Sequence, residues 1–150
     1  MKLIIPPPVQ GLIAGSAMWM VDAYLSVAPF EFQGRIPIAF GLIAIGLCVG
    51  LIAIGAFIKA RTTVNPMAPD RATVLVVSGL YKISRNPMYF GLAVLLTGWG
   101  FYLGEAANLI VLALFISLIT ILQIKPEEEV LRAKFGDDYD DYCQRVRRWI

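Results

Sequence analysis

The sequence predicts an all-α fold: a polytopic membrane helix bundle of about four transmembrane helices with a cytoplasmic C-terminal helical tail. Three observations carry that expectation. Hydrophobic residues make up 58% of the chain and charged residues 16%, and the mean hydropathy is +0.70. A soluble domain is nearer ~45–50% apolar and ~25% charged. The apolar residues fall into four runs, at about 9–28, 36–58, 88–103 and 106–124, with a polar tail at 125–150. Lysine and arginine gather in only two of the segments outside these runs. A length of 150 residues suits a single domain, 1–150.

The first run follows Lys2 and the triple proline Pro6-Pro7-Pro8. The prolines interrupt the apolar stretch and no small-residue cleavage site closes it, so it reads as a span rather than a signal peptide. Asp22 makes it the weakest of the four; its carboxylate is expected at the bundle interior or the far interface. Trp19 and Tyr24 suit an interfacial belt, and Gly11 and Gly15 suit close helix contact. After the short loop Pro29–Arg35 comes the clearest span, Ile36–Ile58, uncharged and long enough for ~30 Å of hydrocarbon. Its Gly46 and Gly50 form a GxxxG pair of the kind that lets a second helix approach.

Lys59 to Arg85 is the longest polar segment, rich in turn and cap residues such as Asn65-Pro66 and Pro69-Asp70. The third and fourth spans are separated only by Gly104-Glu105, which predicts a tight helical hairpin. Lys125-Pro126 is expected to end the fourth span. Glu127-Glu128-Glu129 then opens a tail helix at its acid-favouring end, and Gly136 closes it. Asp137 and Asp140 resemble a capping box for a last helix. On that helix Tyr139, Tyr142, Val146 and Trp149 form an apolar stripe, suited to the membrane surface or to the protein itself.

Orientation follows from the cations. The Lys59–Arg85 loop holds Lys59, Arg61, Arg71, Lys82 and Arg85; the tail holds Lys125, Arg132, Lys134, Arg145, Arg147 and Arg148. The Pro29–Arg35 loop has one and the Gly104-Glu105 turn none. The positive-inside rule puts the polar loop, the tail and both termini in the cytoplasm of a multi-pass protein of the cell (inner) membrane. The chain has no histidine and two cysteines in different settings, Cys48 in a span and Cys143 in the tail. This excludes imidazole bases and His-ligated metals and argues against a disulfide framework; no metal ligands are expected. Nothing points to nucleic acid.

The stretch that organises the chain is Ser84-Arg85-Asn86-Pro87-Met88-Tyr89-Phe90-Gly91. Pro87 fits the first turn of a helix, where its missing N–H costs nothing. Asn86 before it is pushed towards extended geometry and suits a cap. Arg85 is thereby held just outside a helix N-terminus at the membrane edge, a place suited to a carboxylate or phosphate. The hairpin returns the chain so that Glu127 and Glu128 reach the same face. A cation and carboxylates there suit a zwitterionic ligand; they equally suit a plain salt bridge, with Arg85 an anchor.

Arg85-Asn86-Pro87-Met88-Tyr89-Phe90-Gly91 resembles the R-(H/N)-P-x-Y-x-G motif of integral-membrane methyltransferases. Glu127-Glu128, followed by Leu131, Phe135-Gly136, Tyr139 and Tyr142, resembles their E-E-x-x-L-x-x-x-F-G-x-x-Y-x-x-Y tail. Thr62 to Pro69 and Ser78-Gly79-Leu80-Tyr81 are similar to the lead-in of small bacterial members. The family is that of isoprenylcysteine carboxyl methyltransferase and the phospholipid methyltransferases, and the resemblance covers about Lys59 to Ile150. It implies methyl transfer from S-adenosylmethionine, bound on the cytoplasmic side between the third and fourth spans under the tail. The acceptor it implies is lipid-like or a small lipophile delivered by the bilayer, with a carboxylate, thiol or amine to be methylated. The implied cofactor residues are Arg85, Asn86, Pro87, Tyr89, Gly91, Glu127, Glu128, Tyr139 and Tyr142, with Arg85 and Glu128 catalytic. The family usually has His where this chain has Asn86.

The donor's own chemistry agrees. Arg85 and the N–H groups after Pro87 suit its carboxylate, Glu127 or Glu128 its ammonium or ribose hydroxyls, and the three tyrosines its adenine or sulfonium. Gly98-Trp99-Gly100 lies inside a predicted helix and reads as packing rather than a nucleotide loop. Two alternatives remain at this point, a membrane reductase with a similar C-terminal pattern and a non-catalytic helical membrane module.

Overall fold

A computed structural model describes residues 5–62 and 71–150. The Asn65-Pro66 and Pro69-Asp70 turns, Lys2, and nearly all of the Thr62–Pro69 lead-in lie outside them. Among the described residues the regular structure is helical. Helix α1 spans Pro7–Met20 and continues through a widened π turn, Val21–Leu25. Helix α2 is Arg35–Lys59, α3 Pro87–Leu103 and α4 Asn108–Ile119. A second π turn, Thr120–Ile124, joins α4 to α5, Lys125–Phe135; α6 is Asp137–Arg145. A short 3-10 turn, Gly79–Lys82, precedes α3.

Two helices, Arg35–Lys59 and the continuous Asn108–Phe135, are long and apolar enough to cross a membrane. The outer faces carry large apolar side chains in the open, including Leu12, Leu51, Leu109, Ile110 and Leu114. Small residues such as Ala14, Ala39, Gly46 and Ala53 are inside. That inversion of the soluble pattern suits a lipid surround.

The helix α3 is the centre of the bundle. It packs most extensively on α2 and also meets α1 and α4. The α2–α3 crossing is close because glycines face each other. A Cβ on Gly91 would lie 2.7 Å from the Gly46 carbonyl and 2.9 Å from the Gly50 nitrogen, and a Cβ on Gly98 would lie 2.7 Å from the Ala39 carbonyl. Gly46 therefore belongs to the crossing, as its GxxxG pattern predicts, and Gly98 is a packing residue. Gly50 presents its backbone to Gly91, but its own Cβ position is open. On the other side of α3, Met18, Leu96, Phe115, Ile119 and Ile124 close a core against α1 and α4.

The connections gather at two opposite ends. At one, Gly104 takes a left-handed conformation (φ 79°) and ends α3, with the Arg35 guanidinium crowding the place where its Cβ would be. Phe30 N–H donates to the Gly104 carbonyl at 2.8 Å and Ala106 N–H to Ala28 at 2.9 Å. Glu105 is 1% exposed and accepts from the backbone N–H groups of Ala28 and Ala107, at 2.8 and 3.0 Å. At the other end stand Tyr81, Arg85, Glu127, Glu128 and the C-terminal residues.

The structure departs from the sequence-based expectation at Pro126 and at Asp137. Lys125-Pro126 does not end the helix. The Lys125 N–H reaches back five residues to Thr120, and this widened turn makes room for the proline ring, which would otherwise press on the carbonyl four residues earlier. The acidic run of Glu127 to Glu129 consequently opens no free helix N-terminus. Nor does an Asp137–Asp140 capping box form. Gly136 occupies the N-cap of α6 without a side-chain cap, and Asp140 instead accepts from Arg132 Nε at 2.7 Å.

Gly91→Ala forces backbone apart at the α2–α3 crossing, an overpacking that costs about 1–3 kcal/mol. Gly41→Ala, with open space around its Cβ, is expected to leave thermal stability unchanged or raised, and melting curves of the two purified variants check the contrast.

Candidate functional site

Helix α3 begins at Pro87, fully buried, with Asn86 before it. Asn86 does not cap the helix. Its side-chain Nδ2 donates to the Arg148 carbonyl at 3.0 Å, and its N–H donates to Ser84 Oγ at 3.1 Å. Arg85 N–H donates to the Arg147 carbonyl at 3.0 Å, and Ser84 pairs with Arg147 in a parallel bridge. The chain leaves α6 in an extended conformation at Val146, and residues 146–150 form a strap held across the start of α3 by Arg147 and Arg148. Trp149 packs on the core beneath it.

The strap and α5 bring three charges together. Arg85 Nη2 is 3.1 Å from Glu128 Oε1, with side chains only 12% and 9% exposed. Arg148 grips the same carboxylate with both arms, Nε to Oε1 at 3.0 Å and Nη2 to Oε2 at 2.7 Å. Arg85 Nη1 donates to Cys143 Sγ, while its Nε is buried without a partner.

One residue earlier on α5, Glu127 turns the other way. Its Oε2 accepts from the Tyr89 hydroxyl at 2.8 Å. Glu127 lies beyond the apolar run that ends at Ile124. Burial pushes its carboxyl up to about 7, the Tyr89 hydrogen bond opposes this, and the neighbouring Glu128 charge adds to it. Tyr89 also lines an apolar cavity of about 420 Å³ with Gly46, Leu47, Met88, Leu92 and Leu95. A second cavity, about 730 Å³, shares Pro8, Leu92 and Leu95 with it and extends to Trp19 and Trp99. The two adjoin along α3 as an apolar groove flanked by α1 and α2, and Tyr89 lines the smaller of them.

The remaining predicted residues are placed differently. Tyr139 and Tyr142 are 2% and 4% exposed and pack with Val146, Leu75, Leu131 and Phe135. The expected single-helix stripe is therefore split: Tyr139 and Tyr142 lie on α6 and pack on the protein itself with no open ring face, while Val146 and Trp149 fall beyond the end of α6 at Arg145, on the strap. Burial raises both phenols, and the Tyr142 hydroxyl donates to the Tyr81 carbonyl at 2.7 Å. Gly91 serves the α2–α3 crossing, and Asn86 and Pro87 frame the start of α3. Arg85, Glu128, Glu127 and Tyr89 carry the polar chemistry. Cys143 and Arg148 join them, although no motif spacing marks either; the only hint of Arg148 is a cation beside the last aromatic of the stripe.

Residues 35–138 match the phospholipid methyltransferase family. The chain belongs to that family. An uncharacterized protein of Haemophilus influenzae is 41% identical over 63 residues, which are 42% of this chain and all of that protein. No solved structure matches. The family match takes in Arg85, Tyr89, Gly91, Glu127 and Glu128, and ends before Tyr139, Cys143 and Arg148.

The Glu127 carboxyl couples stability to pH. Its ordinary value is 4.5 and its folded value about 7, so the folded protein binds this proton more tightly than the unfolded chain. The associated stabilisation is complete below about pH 4.5 and lost by about pH 7. Melting temperatures measured across that window should fall less steeply with rising pH for Glu127→Gln than for the wild type.

Proposed function

We propose that this protein is an integral-membrane methyltransferase that moves a methyl group from S-adenosylmethionine to a lipophilic acceptor at the cytoplasmic face. The observation that carries the reading is that Tyr89 lines an apolar cavity while its hydroxyl holds Glu127, the neighbour in the chain of the Glu128 that binds Arg85 and Arg148. Membership of the phospholipid methyltransferase family supports it. The residues fit the cofactor: Arg85 keeps a buried Nε without a partner, and a guanidinium fork matches a carboxylate.

S-adenosylmethionine supplies a methyl group already activated on a cationic sulfur. Arg85 binds the cofactor's carboxylate. Glu128, committed to two guanidiniums, positions Arg85. Glu127, with no guanidinium on it among the described residues, takes the ammonium or ribose hydroxyls, held in place by the Tyr89 hydroxyl. The groove receives the acceptor's apolar part and leads its reactive carboxylate, thiol or amine towards Tyr89. Aligning the reactants supplies much of the rate, and an apolar lining that excludes water favours an anionic acceptor most.

The bundle is read as four spans, α1 to α4 with its π turn, with both termini cytoplasmic. Support comes from the two ends at which the connections gather and from the cations, of which the Gly104 end carries only Arg35 among the described residues. In a chain with Cys48 and Cys143 replaced by alanine, Glu31→Cys and Asp138→Cys should label from opposite sides of the membrane. Labelling from one side overturns the topology.

Calorimetry on detergent-purified protein should give saturable binding of S-adenosylhomocysteine. Arg85→Lys keeps the charge and loses the fork, and should weaken binding about tenfold or more. Unchanged affinity with a lower melting temperature would make the cluster a salt bridge only, and binding of a nicotinamide cofactor instead would make the protein a reductase.

A further inference from the structure

Arg148 lies on the C-terminal strap, beyond residue 138 where the family match ends. Its backbone is fixed against the start of α3, since its carbonyl accepts from Asn86 Nδ2 at 3.0 Å and the preceding carbonyl accepts from Arg85 N–H at 3.0 Å. This fixing is what delivers the guanidinium to Glu128, at 3.0 and 2.7 Å. Arg85 reaches the same carboxylate at 3.1 Å.

Two guanidiniums therefore share one carboxylate, and neither can give up its proton at any ordinary pH. The cluster carries one positive charge in excess. Arg85 and Glu128 are about nine-tenths buried while Arg148 is 36% exposed, so the excess charge sits in a cluster open to solvent on its Arg148 side, where an anion can reach it. Glu127 is the neighbouring carboxylate on α5, but it is turned to the Tyr89 hydroxyl. Cys143 offers Arg85 only a sulfur. The buried Nε of Arg85 has no partner at all. A third cation, such as an ammonium, is the wrong sign for Glu128 here; an anion is the right one.

We propose that Arg148 is a second ligand for the cofactor's carboxylate, which lies across the Arg85 and Arg148 guanidiniums while Glu128 holds the two in register. This inference rests on the functional reading above and adds to it a binding residue from outside the family match. The strap thereby contributes to the site as well as covering it.

The test compares S-adenosylhomocysteine with its decarboxylated analogue, which keeps the adenosine, the sulfur and the ammonium. Wild-type protein should prefer the carboxylate-bearing ligand by about tenfold or more. Arg148→Gln should remove most of that preference while binding the decarboxylated analogue as tightly as wild type does, which also reports that the site is folded. A preference that survives in Arg148→Gln overturns the inference, as does an equal loss of affinity for both ligands. If Arg148→Gln does not fold, Arg148→Lys, which keeps the charge, should reduce the preference several-fold; an undiminished preference overturns the inference. Wild-type protein that binds neither ligand overturns the functional reading itself.

Discussion

The Glu128 carboxylate is bonded on both oxygens by Arg148 and on one by Arg85, and the arrangement of the polar end follows from it. Arg85 is held to the start of α3, Arg148 to the C-terminal strap and Glu128 to α5, so one carboxylate ties together three separate parts of the chain. Breaking a buried ion pair from one side typically costs about 3–5 kcal/mol, because the partner is left charged and unpaired. Here Arg85 would be left so, while Arg148, 36% exposed, would be left facing solvent. The short contacts between the strap and residues 84–86 add direction: they fix where both guanidiniums start, so the fork of Arg148 meets Glu128 squarely.

Much of the frame was legible in the sequence because it is local. The helix start at Asn86-Pro87, the hairpin at Gly104-Glu105 and the cation-rich loops follow from neighbouring residues. The union of Arg85 with Glu128 was legible because the hairpin returns the chain to its starting side. What escaped depends on distant partners. Glu105 looked like a turn residue, yet it is buried on the backbone of the 26–34 loop, which no local pattern reveals. Asn86 looked like a cap, but a carbonyl more than sixty residues away competes for its amide. Tyr139 and Tyr142 looked available as π faces; the cluster around Leu75 and Phe135 covers them. Pro126 looked like a terminator because the rule assumes an ordinary α turn before it.

The groove and the acidic pair of α5 meet through a single side chain. Tyr89 has its ring in the apolar core and its hydroxyl on Glu127, a division of labour that suits an aromatic with one polar tip. Charge and hydrocarbon are otherwise kept apart: the cluster lies between α5, α6 and the strap, while the groove is walled by leucines and tryptophans. A molecule with one polar and one apolar part matches that layout better than a wholly polar one.

The π turn at Thr120–Ile124 acts as a phase shifter. Relative to an unbroken α-helix it inserts one extra residue, and one residue corresponds to about 100° around the axis. Everything after it on α5 is rotated by that amount with respect to α4. Glu127 faces Tyr89 and Glu128 faces the two arginines only in this rotated setting. The helix is thus keyed, like a bolt cut with an offset: its apolar half is seated against α3 and α1, and the offset sets which way each carboxylate points. The orientation of the acidic pair is decided inside the apolar run, several residues before either acid appears in the chain.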